Sequence, residues 1–323
     1  MIGDDDNRHM KTTLNPINIG GGARLSGWSV LRASGEEAAK FLHGQLTQDF
    51  ALMAANQARL AGYCSAKGRL LASFIGWKEA PDQILLALPA EVLPATLKRL
   101  SMFVMRAKCK LTDDGAQWQL WGLAGASAQT WLGDAAPAEV WERRSLHDAS
   151  VIRLPDAAGL RRYLLAQAQG SSAPDLPLMT EHEWQWLDIQ SGLAWVRGPT
   201  VEQFVPQMIN LELLGGVNFQ KGCYPGQEIV ARSQYRGSIK RRTFLFDTDA
   251  PATLGQEVFH SSDAEQPAGM VAAIAPHPAG GNSLLAEVKL GLLGEGSLHL
   301  GSAQGALLKL QALPYAVDVD VTE

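Results

Sequence analysis

The spacing of turn residues changes at Arg242, and that change limits the folds open to the chain. Beyond it, Thr243–Phe246, Gln256–His260, Gly269–Ile274, Ser283–Leu290 and Ala306–Leu313 are short runs bounded by Pro, Gly, Asn or Ser. Five short strands with little helix between them predict a small β-barrel or sandwich. Before Arg242, helical and strand-like stretches alternate. Ser34 and Glu37 have capping-box spacing, and Ala38, Phe41 and Leu42 follow at helical intervals, which predicts a helix of roughly ten residues with Ser34 as its N-cap. Arg59–Cys64 and Arg69–Trp77, joined by Ser65-Ala66-Lys67-Gly68, read as a β-hairpin. Ile84–Leu88, Gln117–Leu123 and Arg161–Gln167 read as strands, and Arg106–Leu111, which contains Cys109, as an ordinary alternating one. Leu93, Leu97 and Leu100 mark an amphipathic helix, Gly170–Pro177 is a loop by composition, and Glu181–Gly192 reads as a helix stopped by its glycine. The expected organisation is a lead-in over 1–22, an α+β region over 23–242 in two subdomains, and an all-β barrel over 243–323.

With 323 residues and 46% hydrophobic composition the chain can bury a core in each of these units. Its formal net charge of −5 argues against a protein that coats nucleic acid, so any RNA contact must come from a local patch. Three widely spaced cysteines, Cys64, Cys109 and Cys223, contain no CxxC pair and suggest neither a disulfide framework nor a metal site. The polar, acidic start MIGDDDNRHMK is unlike a signal peptide, and no apolar run is long enough to span a bilayer. These features predict a reduced, cytoplasmic protein without a membrane segment. No phosphate-binding GxxxxGK[ST], HExxH or evident Ser-His-Asp arrangement occurs.

Chemistry concentrates in KGCYPGQEIVARSQYRG, residues 221–237. Glycine and proline on both sides of Cys223 predict a tight turn that presents its thiol. From 221 to 242 there are six basic residues, Lys221, Arg232, Arg236, Lys240, Arg241 and Arg242, against the one acidic Glu228. Nearby cations favour thiolate over thiol, so Cys223 is expected to be reactive. A cysteine in a long chain is ordinarily a small buried hydrophobe, and that reading is kept for Cys64 and Cys109. Lys240-Arg241-Arg242 is either a solvated strand start or part of an anion-binding surface.

Lys221-Gly222-Cys223-Tyr224-Pro225-Gly226-Gln227-Glu228 resembles the K-G-C-Y-x-G-Q-E signature of the YgfZ-type folate-binding proteins, relatives of the glycine-cleavage T-protein, an aminomethyltransferase. Four other stretches resemble the family in order. They are Phe41–Asp49 (FLHGQLTQD), Ser65–Arg69 (SAKGR), Gln203–Gln207 with Asn210-Leu211, and Leu313-Pro314-Tyr315. The resemblance covers about residues 23–315. It implies a T-protein-like α+β folate-binding body with a C-terminal β-barrel, and a tetrahydrofolate (or derivative) site in a central opening. It further implies work on iron–sulfur cluster assembly or repair with assembly or client proteins, including enzymes that modify tRNA. Cys223 would be the reactive group, with Lys221, Gly222, Tyr224, Gly226, Gln227, Glu228 and Arg232 as motif and support. Trp28 and Trp184 match positions that contact folate in the family, although tryptophans more commonly build cores. No set of thiolates able to hold a cluster accompanies Cys223, so a cluster would be shared or transient.

The strip Leu187-Asp188-Ile189-Gln190-Ser191-Gly192 departs from the family pattern, because Gln190 stands where a glutamate holds the pterin in T-protein relatives. An amide accepts a hydrogen bond without charge assistance. Two other functions remain open from sequence. One is a tetrahydrofolate-dependent aminomethyl or other one-carbon transferase, with Asp49, Asp113, Asp114 and Glu228 as candidate carboxylates. The other is a scaffold that binds a protein or tRNA through an Arg232–Arg242 surface.

Overall fold

The computed structural model describes residues 19–235 and 239–317. Most of the expected lead-in, and Arg236 of the motif region, lie outside the described residues. In chain order the elements are β1 (Gly21–Arg24), β2 (Trp28–Ser34), α1 (Ala38–His43), β3 (Ala58–Cys64), β4 (Leu70–Ala80), β5 (Gln83–Pro89), α2 (Leu93–Val104) and β6 (Lys110–Asp113). Then come β7 (Trp118–Ala124), α3 (Gly125–Leu132), β8 (Arg143–Leu146), β9 (Ala149–Ala157), β10 (Leu160–Ala168), α4 (Glu181–Gln190) and α5 (Gln227–Tyr235). The C-terminal strands are β11 (Arg241–Thr248), β12 (Glu257–His260), β13 (Asp263–Pro276), β14 (Asn282–Lys289), β15 (Leu298–Leu300), β16 (Ala306–Leu307) and β17 (Lys309–Gln311).

These strands form three antiparallel sheets. Two have five strands, β3-β4-β5-β2-β6 and β1-β7-β10-β9-β8, and the third has seven, β16-β15-β12-β13-β14-β11-β17. The seven-stranded sheet is an almost closed barrel, so the fold class is α+β with a C-terminal all-β barrel; the spacing past Arg242 predicts five strands in a barrel or sandwich, the family resemblance a barrel, and the sheet has seven. The 59–77 hairpin also forms, with Ala58 opposite Trp77 and Tyr63 opposite Ala72.

Period-two alternation along β3 decides which core each side chain joins. Ala58, Leu60 and Cys64 enter a central core shared with α4, the 193–217 segment and the other two sheets. Ala61 and Tyr63, on the opposite face, pack with Phe41 and Leu42 of α1 and Leu93 and Leu100 of α2. The barrel interior and the α3 side of the β7–β10 pair have their own smaller cores. The central core sits where all three units meet, which is why residues far apart in sequence can reach one site.

Three local expectations are corrected. Ser34 does not cap α1: it ends β2, in register with Gln83 and Lys110. Glu37 accepts the Lys108 N–H at 2.8 Å, so neither residue is free for reciprocal capping, and the helix is only six residues long. Gly21 and Gly22, placed in the lead-in by sequence, begin β1 and pair with β7. A Cβ on Gly21 would fall 2.0 Å from the Pro177 carbonyl oxygen, so glycine there permits a close backbone approach. Cys109 lies just before its strand, half-buried, with its thiol pushed up to about 11 by burial and by Glu37.

The capping box that does form belongs to α4, where Thr180 and Glu183 satisfy each other's backbone N–H groups. It sets Trp184 on the inner side of the helix against β7. A Cβ on Gly122 would fall 2.3 Å from the Trp184 ring, and the buried Arg162 guanidinium lies 4.4 Å from that ring's centre. The indole therefore has no room to retreat. Gly122→Ala is expected to cost about 2–3 kcal/mol through overpacking, read as a lowered urea midpoint; an unchanged midpoint would show that the helix moves freely on the sheet.

Candidate functional site around Cys223

Cys223 is exposed, whereas Cys64 is fully buried and its thiol is pushed up to about 12 by burial. The loop that carries Cys223 is pinned on both sides. On its N-terminal side, the Asn218 side-chain oxygen accepts the N–H groups of Gln220 and Lys221 at 2.8 and 3.1 Å, and the Asn218 N–H donates to Thr47. On its C-terminal side, Gly226 turns with φ +79 directly over the 65–68 hairpin turn. A Cβ there would fall 2.4 Å from the Ser65 carbonyl oxygen and 2.7 Å from Gly68, which leaves glycine as the fitting residue. Gln227 and Glu228 then open α5.

Between these anchors Lys221 turns inward. Its Nζ donates to the carbonyls of Leu46 and Gly222 at 3.0 and 3.1 Å and lies 4.6 Å from the centre of the Tyr224 ring. Burial lowers the Lys221 pKa to about 8, against the opposing pull of Asp49 and Cys223, so the ammonium and the thiol belong to one electrostatic neighbourhood. Burial also pushes the Tyr224 hydroxyl upward. Behind the lysine, His43 Nδ1 and Asp49 Oδ1 are 2.9 Å apart. Burial alone would raise the Asp49 carboxyl, but the Leu52 N–H and His43 outweigh it and the net displacement is downward. Neither His43 nor its pairing with Asp49 was anticipated from sequence; a histidine six residues before an aspartate, in the stretch that resembles the family, was the available signal.

The other basic residues do not gather at the thiol. Arg232 is exposed on α5, in an open groove walled by Glu228, Ala231 and Tyr235, and Cys223 is not among the walls. Arg241 is held by Glu287, and the buried Arg242 contacts Glu212 at 2.7 Å and Asn210 at 3.0 Å. A continuous basic surface over 232–242 is therefore absent among the described residues, because strand β11 turns successive arginines toward different carboxylates. Asp113 is exposed and accepts the Gly115 N–H at 3.0 Å, while Asp114 pairs with Arg32 at 2.5 Å and accepts the Trp118 indole N–H.

A second feature is a cavity of about 160 Å³ between α4 and β13, walled by Gln185, Asp188, Ile189, Trp195, Arg197 and Ala272 among others. Trp28 is half-buried and packs edge-to-face on Trp195, with ring centres 4.8 Å apart. Trp195 donates to Asp188, which is also held by Arg162. Burial pushes the Asp188 carboxyl up, and Arg162 opposes it. Trp184 is only 2% exposed and offers no face to a ligand; it lies beneath Arg162 and keeps that pair in place. Gln190 is half-buried and outside the cavity wall, about 100° around the helix from Ile189. Asp188, Trp195 and Arg197 were not singled out as site residues by sequence reading.

Over 308 residues the chain is 33% identical to a protein of Edwardsiella ictaluri named tRNA-modifying protein YgfZ, covering 91% of this chain and 92% of the relative. The chain belongs to the YgfZ family. A relative of the same name from Sodalis glossinidius is 29% identical over 307 residues, again 91% of this YgfZ-family chain. No family model matches. Among solved structures, the glycine cleavage system aminomethyltransferase T from Bartonella henselae superposes with a TM-score of 0.72, covering 91% of this chain and 86% of that one at 18% identity. The YgfZ-family chain thus has the T-protein fold. Among its described residues no helix is long and apolar enough to cross a membrane.

The depressed Lys221 gives the site a pH signature. An unburied lysine titrates at 10.5 and this one at about 8, so the unfolded chain holds more protons between those values and the fold gains stability as pH rises through them. Lys221→Met removes that contribution. The wild-type stability minus that of the variant, from urea denaturation, is expected to climb between about pH 8 and 10.5; a flat difference would place the ammonium in water.

Proposed function

We propose that this YgfZ-family protein binds tetrahydrofolate and serves the assembly or repair of iron–sulfur clusters, among them those of tRNA-modifying enzymes, with Cys223 as the reactive thiol. The observation that carries the reading is an exposed thiol on a loop pinned at both ends, beside a lysine ammonium drawn out of water. A thiolate formed there keeps its counter-ion without being buried itself, which suits attack on, or transient ligation of, a group delivered from outside. The cluster is cargo, because one thiolate is too few to hold it. The name borne by the two YgfZ relatives supports the link to tRNA modification.

For the folate, the cavity beside Trp195 is the better of the two places. Its volume is below the ~300–1,000 Å³ of sites that enclose a whole drug-sized ligand, and it suits a bicyclic head group with the remainder outside. Trp195, braced by the Trp28 ring that packs edge-on against it, would supply aromatic surface, Asp188 an acceptor for ring N–H groups, and Arg197, half-exposed and 3.6 Å from Glu91, a cation for the carboxylate tail. Bound folate supplies a carrier for one-carbon units; the chain's own residues orient its ring and hold its charges. Asp188 takes the part that the sequence pattern gave to position 190, and Trp184 acts from below through Arg162. An aminomethyl or other one-carbon transferase would need a free carboxylate at the folate, and Asp188 is already engaged by Arg162 and Trp195.

A tetrahydrofolate titration followed by tryptophan fluorescence tests the assignment. Trp28→Ala is expected to weaken binding about tenfold, roughly 1.4 kcal/mol. Gln190→Glu and Cys223→Ala should leave affinity within about twofold, while Cys223→Ala abolishes support of iron–sulfur-dependent tRNA modification in cells. Wild-type affinity in Trp28→Ala, or full cellular function without the thiol, would remove the corresponding half of the proposal.

A further inference from the structure

We infer that His43 is the proton carrier for the Cys223 thiol, positioned by Asp49 and working beside the Lys221 ammonium. The inference rests on the reading of Cys223 as the reactive group. His43 ends α1, and its Nδ1 is 2.9 Å from Asp49 Oδ1. An ionised carboxylate can only accept, so in the neutral ring the proton sits on Nδ1 and Nε2 presents its lone pair. Nε2 has no hydrogen-bond partner among the described residues, and it lies 3.4 Å from the point a Cβ on Gly222 would occupy. The free base nitrogen therefore faces the backbone immediately before the thiol, and glycine at 222 keeps the space between them open.

The surroundings suit that task. On its own helix His43 has Lys40 one turn back, exposed and turned to Glu37 at 3.4 Å. From β3, Arg59 donates to the Asp49 backbone carbonyl. From the motif loop, Gly222 faces its Nε2, Lys221 shares an electrostatic neighbourhood with Asp49 and Cys223, and Tyr224 lies beneath the lysine. The Asp49 side chain is mostly buried and also caps the Leu52 N–H at 2.9 Å, so it holds the ring at a fixed angle. In the step proposed, the S–H bond breaks and its proton passes to Nε2. The products are a thiolate beside the Lys221 ammonium and an imidazolium paired with Asp49. Lysine acts by charge and histidine by proton transfer, the division of labour of a nucleophile with an oriented base.

Alkylation of the full-length chain by iodoacetamide isolates this step, since a C–S bond forms, iodide leaves with the C–I pair, and the thiol proton must go elsewhere. Reaction at Cys223 is followed by peptide mass. His43→Gln is expected to slow it about tenfold at neutral pH and to remove the imidazole limb of the pH–rate profile, with Asp49→Asn falling between. Imidazole added to His43→Gly should restore the rate. Circular dichroism and continued protection of the buried Cys64 confirm that the variants are folded. Wild-type rate and profile in His43→Gln, or a slowed rate that imidazole does not restore, would overturn the assignment. That outcome leaves the function proposed above standing, whereas cellular activity of Cys223→Ala would end the thiol half of that function whatever His43 does.

Discussion

The ammonium of Lys221 reaches back 175 residues to donate to the Leu46 carbonyl, and the geometry of the functional loop hangs on that contact. Withdrawing a lysine from water is unfavourable unless its donors are satisfied. Here two carbonyls and the Tyr224 ring face take them up, and Asp49 supplies a compensating charge. Once the lysine points inward, the chain on either side is committed. Asn218 ties the approach to Thr47, and Gly226 lays the exit on the 65–68 turn. Cys223 is left at the surface because its neighbours on both sides point in. Exposure of the thiol is thus a consequence of burying the lysine.

A second buried charge organises the other half of the molecule. Arg162 from β10 and Asp188 from α4 meet in the central core, with Trp184 against the guanidinium and Trp195 on the carboxylate. Removing one partner of such a pair typically costs about 3–5 kcal/mol, because the other charge is stranded. The pair sets the angle of α4 on its sheet, and so shapes the cavity that α4 forms with β13. Tyr315 closes the arrangement by donating to the Gly192 carbonyl at 2.9 Å while facing Asn210, which joins the C-terminal segment to the end of α4 and to the start of the barrel. The thiol loop and the cavity are therefore separate chemical places held by one core.

Much of the fold was legible because local rules and tertiary structure agree. The 59–77 hairpin carries its own turn, the strands past Arg242 are bounded by Gly, Pro, Asn and Ser, and α4 is stopped by Gly192, which has a positive φ. Disagreement arose where a residue's local preference lost to a distant partner. Ser34 could cap a helix, but β5 and β6 hold it in a strand. Gly21 and Gly22 look mobile, but β7 and Pro177 order them. Five of the basic residues around the motif lie among the described residues, and of these Arg241 and Arg242 are neutralised by Glu287 and Glu212, which no linear count of charge could reveal.

The sequence alone settled the family, through the long motif around Cys223, and the two-part α+β and all-β architecture, through residue periodicity. Both are properties of neighbouring residues, so they can be read along the chain. The tertiary structure decided which cation turns inward at the motif loop, that Trp184 lies in the core and Trp28 at the edge, that Asp188 and not Gln190 faces the cavity, and that His43 and Asp49 stand behind the motif loop. Those outcomes depend on contacts between segments scores of residues apart, whose burial and charge pairing exist only once the three units have packed together.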